Sequence, residues 1–339
     1  MSPSKYLINR ISLRRFAARL FGRRAGCSGS SGTTLLMLLG CVALFSSAHS
    51  AGQTESRTFT VHVYQSPEAG IFANAYLVET ANHVVVVDST LLESTSKQLR
   101  QQLEQLHKPL AAILITHGHP DHYNGVTNLR GNDSADVIAT KAVDKVIRDH
   151  DAAKENQWRP VFKDEWPLKR TFPTRIFSDG QSLEVDGVKF TVHDLGPGES
   201  DADSYWLVEG KDNHKASRVA FIGDVVLDHV HAYTTDGHTS FWLANIYKLS
   251  KQLKNVPKLY PGHGNEGDVN LLAWQRGYLQ AYRANVESLA HGNKSLSEAD
   301  KVELKNRMEK YLSNTKLEFL IGLGADSVAN ELATERALK

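Results

Sequence analysis

Three histidines and one aspartate fall within ten consecutive residues, THGHPDHYNG at 116–125. The preceding run AAILIT is typical of a buried strand, so these polar residues follow a strand end, where binding sites are commonly built. In extended chain His117 and His119 point to the same side, and Asp121 and His122 in the following turn can reach a neighbouring point. Imidazole and carboxylate suit zinc and iron. The spacing predicts two adjacent metal sites; the alternative is a histidine-rich surface loop that binds nothing.

Short runs rich in β-branched residues alternate with polar, helix-like stretches through the middle of the chain. A polar helix is predicted over about 92–107, and the Asp-Gly pair within SLEVDGVKFTVHDL predicts a hairpin. Two strand-rich halves, roughly 57–150 and 175–264, flank an aromatic, proline-containing stretch at 156–173, and helices are predicted from about residue 269. The other predicted strands are RTFTVHVY, NAYLVE, HVVVVDS, AAILIT, SYWLVE, RVAFIGD and KLYPGHG.

The first fifty residues have the organisation of a targeting leader. They contain seven basic residues and no acidic one, followed by the apolar stretch LLMLLGCVALF and a tail of small residues. This order predicts a secretory signal peptide cleaved after Ser50, and the arginine pair in SLRRF leaves room for twin-arginine export. Two alternatives stay open, a mitochondrial transit peptide and a lipid anchor at Cys41. The predicted location is periplasmic or secreted, or mitochondrial in a eukaryote.

Removal of residues 1–50 changes both charge and thiol chemistry. The chain has 39 basic and 38 acidic residues, and the loss of seven basic ones leaves 32 against 38, a formal net charge of −6. An acidic body argues against nucleic acid as a partner and favours a small-molecule substrate. No interior apolar run approaches the roughly 18 residues of a membrane span. Cys27 and Cys41 both lie in the leader, so histidine and carboxylate must hold any metal.

The motif and later landmarks resemble the metallo-β-lactamase superfamily of metallohydrolases. Its signature, His-x-His-x-Asp-His after a strand, is matched by HGHPDH at 117–122. GPGES at 196–200, FIGDVV with Asp224 and LYPGHG with His263 follow in the family's order. The resemblance covers about 58–264 and implies an α/β fold, an αββα sandwich of two mixed β-sheets flanked by helices. We therefore divide the chain into a leader (1–50), a metallo-β-lactamase-like domain (51–267) and a C-terminal helical extension (268–339) packed on that domain.

The resemblance also implies the metal ligands. His117 and His119 correspond to the family's first site, and Asp224 to the residue that bridges both sites. The second site would use Asp121, His122 and His263.

One expected ligand differs from the family pattern. Where a third histidine of the first site is usual, this chain has Glu199, and alkylsulfatase-like members are similar in using glutamate there. His193 lies within the preceding strand and is out of register. A carboxylate can replace imidazole at about the same metal distance, roughly 2.0–2.2 Å. Glu199 is the predicted ligand; the alternatives are a vacant or water-filled position, or recruitment of Asp201 or Asp203.

Paired metals beside carboxylates imply hydrolysis by a metal-bound hydroxide, oriented by Asp121 as the catalytic carboxylate. Two zinc ions per chain are expected, with iron or manganese as alternatives because Glu199 adds negative charge. The predicted function is an exported hydrolase of a small ester, lactone, lactam or related substrate. The alternatives are an iron-dependent sulfur dioxygenase or other oxidoreductase on the same fold, and, disfavoured by the acidic body, a nuclease.

Several further residues have two interpretations each. Asp88 either orients a ligand imidazole or caps a turn. His238 either meets substrate or, with Asp236 and Thr239, marks a helix start. Histidines 229 and 231 and tyrosines 123 and 233 are weaker candidates for substrate contact. The segments YQSPEAGIFAN and NQWRPVFKDEWPLKRTFP either cover the site, and then favour a hydrophobic or aromatic substrate, or pack onto the sandwich.

Overall fold

Two mixed β-sheets form the centre of the structure, a computed structural model that describes residues 58–212, 215–314 and 316–338. The predicted leader, with Cys27 and Cys41, lies outside these ranges. The first sheet has the order β1-β2-β3-β4-β5-β6, and the second has the order β11-β10-β9-β8-β7. The strands are β1 Thr60–Gln65, β2 Asn74–Glu79, β3 Val84–Val87, β4 Leu110–Leu114, β5 Asp136–Thr140, β6 Arg175–Phe177, β7 Ser182–Val185, β8 Val188–Gly196, β9 Asp203–Asp212, β10 Lys215–Leu227 and β11 Lys258–His263.

The continuous apolar run of β3 reflects burial on both faces of its sheet. Val85 and Val87 pack in the core between the two sheets, whereas Val84 and Val86 pack beneath helices on the outer face. All four are fully buried. β3 pairs antiparallel with β2 and parallel with β4. A strand covered on both sides has no polar face to alternate with, which explains the VVVV sequence.

The predicted Asp-Gly hairpin is confirmed, and it also connects the sheets. Val185 pairs with Val188 across the two-residue turn, in which Asp186 (φ 49°) and Gly187 (φ 77°) take the positive angles of a type I′ turn. The Asp186 carboxylate accepts hydrogen bonds from the Thr80 hydroxyl (2.6 Å) and the Asn82 N–H (2.7 Å). Both donors lie in the β2–β3 turn, so one side chain joins hairpins of different sheets.

Helices cover both outer faces. Apolar residues of α1, α3 and α4 pack on the first sheet, and those of α5, α6, α7 and α9 pack on the second. This confirms the αββα sandwich and the helices after the last strand. In the described ranges, no helix combines the length and apolarity needed to cross a membrane. The helices are α1 Glu93–Gln105, α2 Pro120–Tyr123, α3 Val126–Arg130, α4 Lys141–Phe162, α5 Thr239–Gln252, α6 Asn270–Ala290, α7 Glu298–Tyr311, α8 Leu320–Leu323 and α9 Ala325–Ala337.

Two features of the middle segment were not predicted from the sequence. α4 continues through Pro160, into the aromatic, proline-containing stretch. Pro160 has no N–H to donate to the carbonyl four residues earlier, and the helix ends two residues later, at Phe162. β5 and β6, which are not among the predicted strands, pair parallel with each other in the first sheet.

A glutamate of the last helix caps the N-terminus of α5. The His238 side chain at the N-cap position makes no capping hydrogen bond. Instead, the Glu331 carboxylate accepts hydrogen bonds from the backbone N–H groups of Thr239 (3.1 Å) and Ser240 (2.8 Å) and from both hydroxyls. Arg283 of α6 lies 3.3 Å from the same carboxylate. The contact offsets the exposed N–H groups of the helix and attaches α9 to the sandwich.

We expect Glu331→Ala to lower the free energy of unfolding by about 2 kcal/mol, because a nearly buried carboxylate that accepts several N–H and O–H bonds is lost. Glu335→Ala is the matched control, since Glu335 is more exposed and pairs with Arg283 only. Its effect should stay below about 1 kcal/mol. Urea denaturation followed by circular dichroism measures both, and equal losses would contradict the capping role of Glu331.

Candidate metal centre

The segment that carries the clustered histidines starts where β4 ends and the two sheets meet. After Leu114 the chain stays extended, and Pro120 begins α2 at a position where its missing N–H breaks no hydrogen bond. The Thr116 carbonyl accepts hydrogen bonds from the backbone N–H (2.9 Å) and the hydroxyl (2.7 Å) of Ser204 in β9. The motif is therefore fixed to the second sheet as well as to the first.

The structure brings all seven predicted ligands together in two adjacent groups. Within each group, one nitrogen or carboxylate oxygen per residue lies within 4.8 Å of the others. Each of these side chains belongs to a residue no more than 7% exposed. Asp224 belongs to both groups. The first group is His117, His119, Glu199 and Asp224, and the second is Asp121, His122, Asp224 and His263.

Distances in the first group suit coordination of one ion. His119 Nδ1 lies 3.0 Å from Glu199 Oε2, and His117 Nε2 lies 3.7 Å from the same oxygen. His117 Nε2 lies 3.9 Å from Asp224 Oδ2. Ligands about 2.0–2.2 Å from a tetrahedral metal are roughly 3.3–3.6 Å apart. The observed separations bracket that value.

The second group has similar spacing. Asp121 Oδ2 lies 3.3 Å from His122 Nε2 and 3.2 Å from His263 Nε2. Asp224 Oδ1 lies 3.3 Å from His122 Nε2, and Asp224 Oδ2 lies 3.3 Å from His263 Nε2. Asp224 therefore presents carboxylate oxygens to both groups.

Within the part of the chain that the structure describes, several buried atoms of these groups make no hydrogen bond. They are His117 Nε2, His122 Nε2, both carboxylate oxygens of Glu199 and Asp224 Oδ1. A buried polar atom without a partner costs free energy, and such atoms seldom converge on one point without a shared ligand. Imidazole nitrogens and carboxylate oxygens together are the donor set of a zinc or iron site. The residues present therefore fit metal binding.

A further aspartate orients the second group. Asp88, in the left-handed region at φ 61°, accepts hydrogen bonds on Oδ1 from the Thr116 N–H (2.8 Å) and on Oδ2 from the Thr116 hydroxyl (2.7 Å). Asp88 Oδ2 also lies 3.0 Å from His122 Nδ1. With Nδ1 held by the carboxylate, Nε2 of His122 faces the cluster. Of the two interpretations of Asp88, the structure favours the orienting one.

Two more imidazoles are held from outside the cluster. His119 Nε2 lies 2.9 Å from Asp236 Oδ2, and His263 Nδ1 lies 3.0 Å from the carbonyl oxygen of Ile71. Sequence reasoning considered Asp236 only as a helix-start residue and so missed this contact. The signal that could have found it is an aspartate shortly after Asp224 in a chain that needs orienting partners for its histidines.

The loop before β9 turns Glu199 toward the first group and holds the other residues considered for that position elsewhere. The Asp203 carboxylate accepts hydrogen bonds from the Glu199 N–H (2.6 Å) and the Ser200 hydroxyl (2.6 Å), so it holds the loop and lies outside both groups. Asp201 Oδ1 lies 2.6 Å from His238 Nε2. His193 stacks on the ring of Tyr205. Of the residues considered for this position, only Glu199 points into the cluster.

Burial strongly perturbs the carboxylates. It raises the pKa of Glu199 to about 8 and that of Asp203 to about 7. Burial also raises the pKa of Asp121 and Asp224, but the nearby His122 and His263 more than offset it and hold both pKa values well below their ordinary range. A divalent cation beside Glu199 would supply the positive charge that this carboxylate lacks.

The backbone comes unusually close to the candidate ligand Asp224. The β10–β11 pairing shifts register around Gly223 (φ 56°), which re-aims the strand at Asp224. A Cβ atom on Gly262 would lie 1.7 Å from Asp224 Oδ1. Glycine before His263 is therefore required for the carboxylate to occupy its place.

The two ligand groups open into a cavity with largely apolar walls. Four of the candidate ligands border it, together with Lys154 and Tyr233. The apolar lining includes Ile71, Leu91, Trp158, Phe162, Leu227, Leu317, Phe319 and Leu320. Both predicted cover segments contribute, and Trp166 from the second is buried in the packing instead.

The weaker candidates divide between cavity and packing positions. His231 borders the cavity, but its ring nitrogens contact the Tyr278 hydroxyl (3.1 Å) and the Asn314 carbonyl (3.3 Å). His229 is exposed and stacks near Trp274. The Tyr123 hydroxyl donates to Asp151. Of the two tyrosines considered, Tyr233 is the one that reaches the cavity.

Comparisons with known proteins agree with this geometry. The sequence profile of the metallo-β-lactamase superfamily matches residues 70–263, more than half of the chain. A metallo-β-lactamase type 2 from Bacillus sp. (strain 170) is 23% identical over 229 residues, which are 62% of this chain and 76% of that protein. The hydroxyacylglutathione hydrolase GloC of Haemophilus influenzae is 26% identical over 132 residues, 39% of this chain and 57% of that protein.

Among solved structures, the metallo-beta-lactamase family protein TTHA1429 from Thermus thermophilus superposes with a TM-score of 0.57 at 20% identity. The match covers 82% of this chain and 94% of that one, which supports a shared fold. With the profile match, the two ligand groups and the sandwich, the conclusion is that this chain belongs to the metallo-β-lactamase superfamily.

Proposed function

We propose that this protein is a dinuclear metallohydrolase that cleaves a small organic ester, lactone, lactam or related substrate. The observation that carries the proposal is the position of Asp224, whose Oδ1 and Oδ2 atoms lie 3.3–3.9 Å from imidazole nitrogens of both ligand groups. One carboxylate can therefore bridge two ions held side by side, as a dinuclear hydrolase requires.

The two groups divide the ligands in a simple way. His117, His119 and Glu199 would hold the first ion, and Asp224 would be shared. Asp121, His122 and His263 would hold the second ion. Bound metal ions supply a reactive nucleophile from water near neutral pH and polarise the bond to be cleaved.

The chain's own residues orient the candidate metal ligands and can transfer a proton to the leaving group. Asp88 and Asp236 fix His122 and His119, so these imidazoles need no reorganisation when substrate arrives. Asp121 lies at the cavity, where its carboxylate can orient a water molecule and pass a proton to the leaving group. The apolar walls exclude bulk water, which strengthens the electrostatic interactions within the cavity.

Zinc is the proposed ion at both positions, with iron or manganese as the alternative. Glu199 favours a second candidate function, an iron-dependent oxidoreductase, because a carboxylate in place of imidazole suits harder cations. The two relatives described above have names that refer to different substrates, a β-lactam and hydroxyacylglutathione. Membership of the superfamily therefore does not determine the substrate.

We expect elemental analysis of the purified protein to give two metal ions per chain. His119→Ala and Asp224→Ala should abolish turnover of chromogenic lactam, lactone, thioester and sulfate-ester substrates and leave the circular dichroism spectrum close to wild type. His62→Ala, a partly exposed histidine paired with Glu79 on the first sheet, is the control and should retain metal and turnover. Full activity with one metal ion would contradict the bridging role of Asp224.

A second test concerns Glu199. Glu199→Gln keeps the shape but removes the charge, so metal affinity at the first position should fall markedly while the second ion stays bound. Glu199→His should retain zinc and part of the activity. Asp201→Asn serves as the control, because that side chain contacts His238 and lies outside both groups. Two bound metals and wild-type turnover in both Glu199 variants would remove Glu199 from the ligand set.

We also propose that the protein is exported and acts on a small molecule rather than on nucleic acid. The support is the basic, then apolar, then small-residue order of residues 1–50 and the net charge of −6 that remains without them. N-terminal sequencing of the protein isolated from its natural source should begin near Ala51. An intact N-terminus in a cytosolic fraction would contradict export.

A further inference from the structure

A lysine is buried in the wall of the cavity beside the two ligand groups. Lys154, in α4, is 4% exposed and borders the cavity together with His119, Asp121, Asp224 and His263. Its Nζ atom lies 3.4 Å from the Tyr233 hydroxyl. The Tyr233 ring lies 5.0 Å from the ring of His119, so a single aromatic side chain separates the ammonium from a candidate ligand.

Lys154 begins an otherwise apolar stripe. Trp158 and Phe162 follow it at intervals of four residues on α4, so all three share one helix face, and all three border the cavity. Leu317, Phe319 and Leu320 supply further apolar lining from the segment between α7 and α9. These last residues lie in the C-terminal segment, beyond the 70–263 match to the family profile.

An ammonium in such surroundings interacts strongly with an incoming anion. Burial removes most of its hydration, and Coulomb attraction grows as substrate displaces the remaining water. In apolar pockets, a few placed polar groups fix the orientation of the ligand. Lys154 is the lysine at this cavity, and the rest of the α4 stripe is apolar.

Charge balance with Asp236 is the competing role for Lys154. Burial raises the pKa of Asp236, but Lys154 and His119 lower it well below its ordinary range. Asp236 Oδ2 also lies 2.9 Å from His119 Nε2, so this carboxylate balances charge on both His119 and Lys154. If Lys154 only balanced the charge of Asp236, its replacement would change the binding of charged and neutral ligands equally. A difference between the two kinds of ligand therefore distinguishes the two roles.

We propose that Lys154 binds a carboxylate of the substrate while the wall formed by Trp158, Phe162 and the C-terminal segment holds an apolar portion. The substrate class is therefore an amphipathic organic anion whose hydrolysable bond lies at the metals. This inference rests on the proposed metallohydrolase function and names its substrate class.

Calorimetric titration of the metal-loaded protein tests the proposal with three probes: 4-phenylbutyrate, the neutral 4-phenylbutyramide, and acetate. Wild type should bind 4-phenylbutyrate roughly tenfold to a hundredfold more tightly than the amide, as expected for one charge-assisted contact. It should bind acetate far more weakly, because acetate lacks the apolar part. The carboxylate preference should disappear in Lys154→Met and persist in Lys154→Arg.

Lys145→Met is the matched control, because Lys145 is exposed on the same helix and pairs with Asp149. It should behave as wild type. Lys154→Gln provides a second neutral variant if the methionine variant folds poorly. No carboxylate preference in wild type, or an undiminished preference in a folded neutral variant, would overturn the assignment of Lys154. If acetate bound as tightly as 4-phenylbutyrate, the proposed contact between the apolar wall and an apolar portion of the substrate would be overturned.

Metal content and turnover of the chromogenic panel, measured on the same samples, keep the two proposals apart. Lys154 variants with two metals but no carboxylate preference support the inference. Absence of metal or of hydrolysis in wild type refutes the proposed function itself.

Discussion

The structure depends on the burial of four imidazoles and three carboxylates within a few ångström of one another. Such groups are costly to desolvate, and several of their atoms lack hydrogen-bond partners in the described part of the chain. A divalent cation can satisfy imidazole nitrogens and carboxylate oxygens at the same point. The protein must therefore hold these groups in place through its backbone and through partners around the cluster.

The two sheets meet this requirement where their strands end together. Ser204 of β9 bonds to Thr116 after β4, and the Asn74 side chain of β2 donates to the carbonyls of Pro261 and Gly264 around β11. These contacts fix loops from both sheets relative to one another. The register shift at Gly223 and the absence of a side chain at Gly262 then leave room for Asp224 between the two groups. Local backbone irregularity thus gives Asp224 its place between the groups.

The candidate ligands and part of the cavity wall come from different parts of the chain. The candidate ligands lie within the segment that matches the family, residues 70–263. Part of the cavity wall comes from the C-terminal helices, which Glu331 and Arg283 attach to α5. One type of metal centre can therefore serve different substrates when its walls change, since the walls contribute binding but not coordination.

Sequence spacing alone predicted the strands other than β5 and β6, the Asp-Gly hairpin and the grouping of His117 with His119, because periodicity and turn chemistry act between near neighbours. The resemblance to the family supplied the predictions of the αββα sandwich, of the distant ligands Asp224 and His263, and of Glu199 as a ligand. Only the tertiary structure decided that Asp88 contacts His122, that Asp236 contacts His119, and that Lys154 borders the cavity beside the ligand groups. These contacts join residues far apart in sequence. Their formation depends on how two sheets and a long helix pack, which no local pattern encodes.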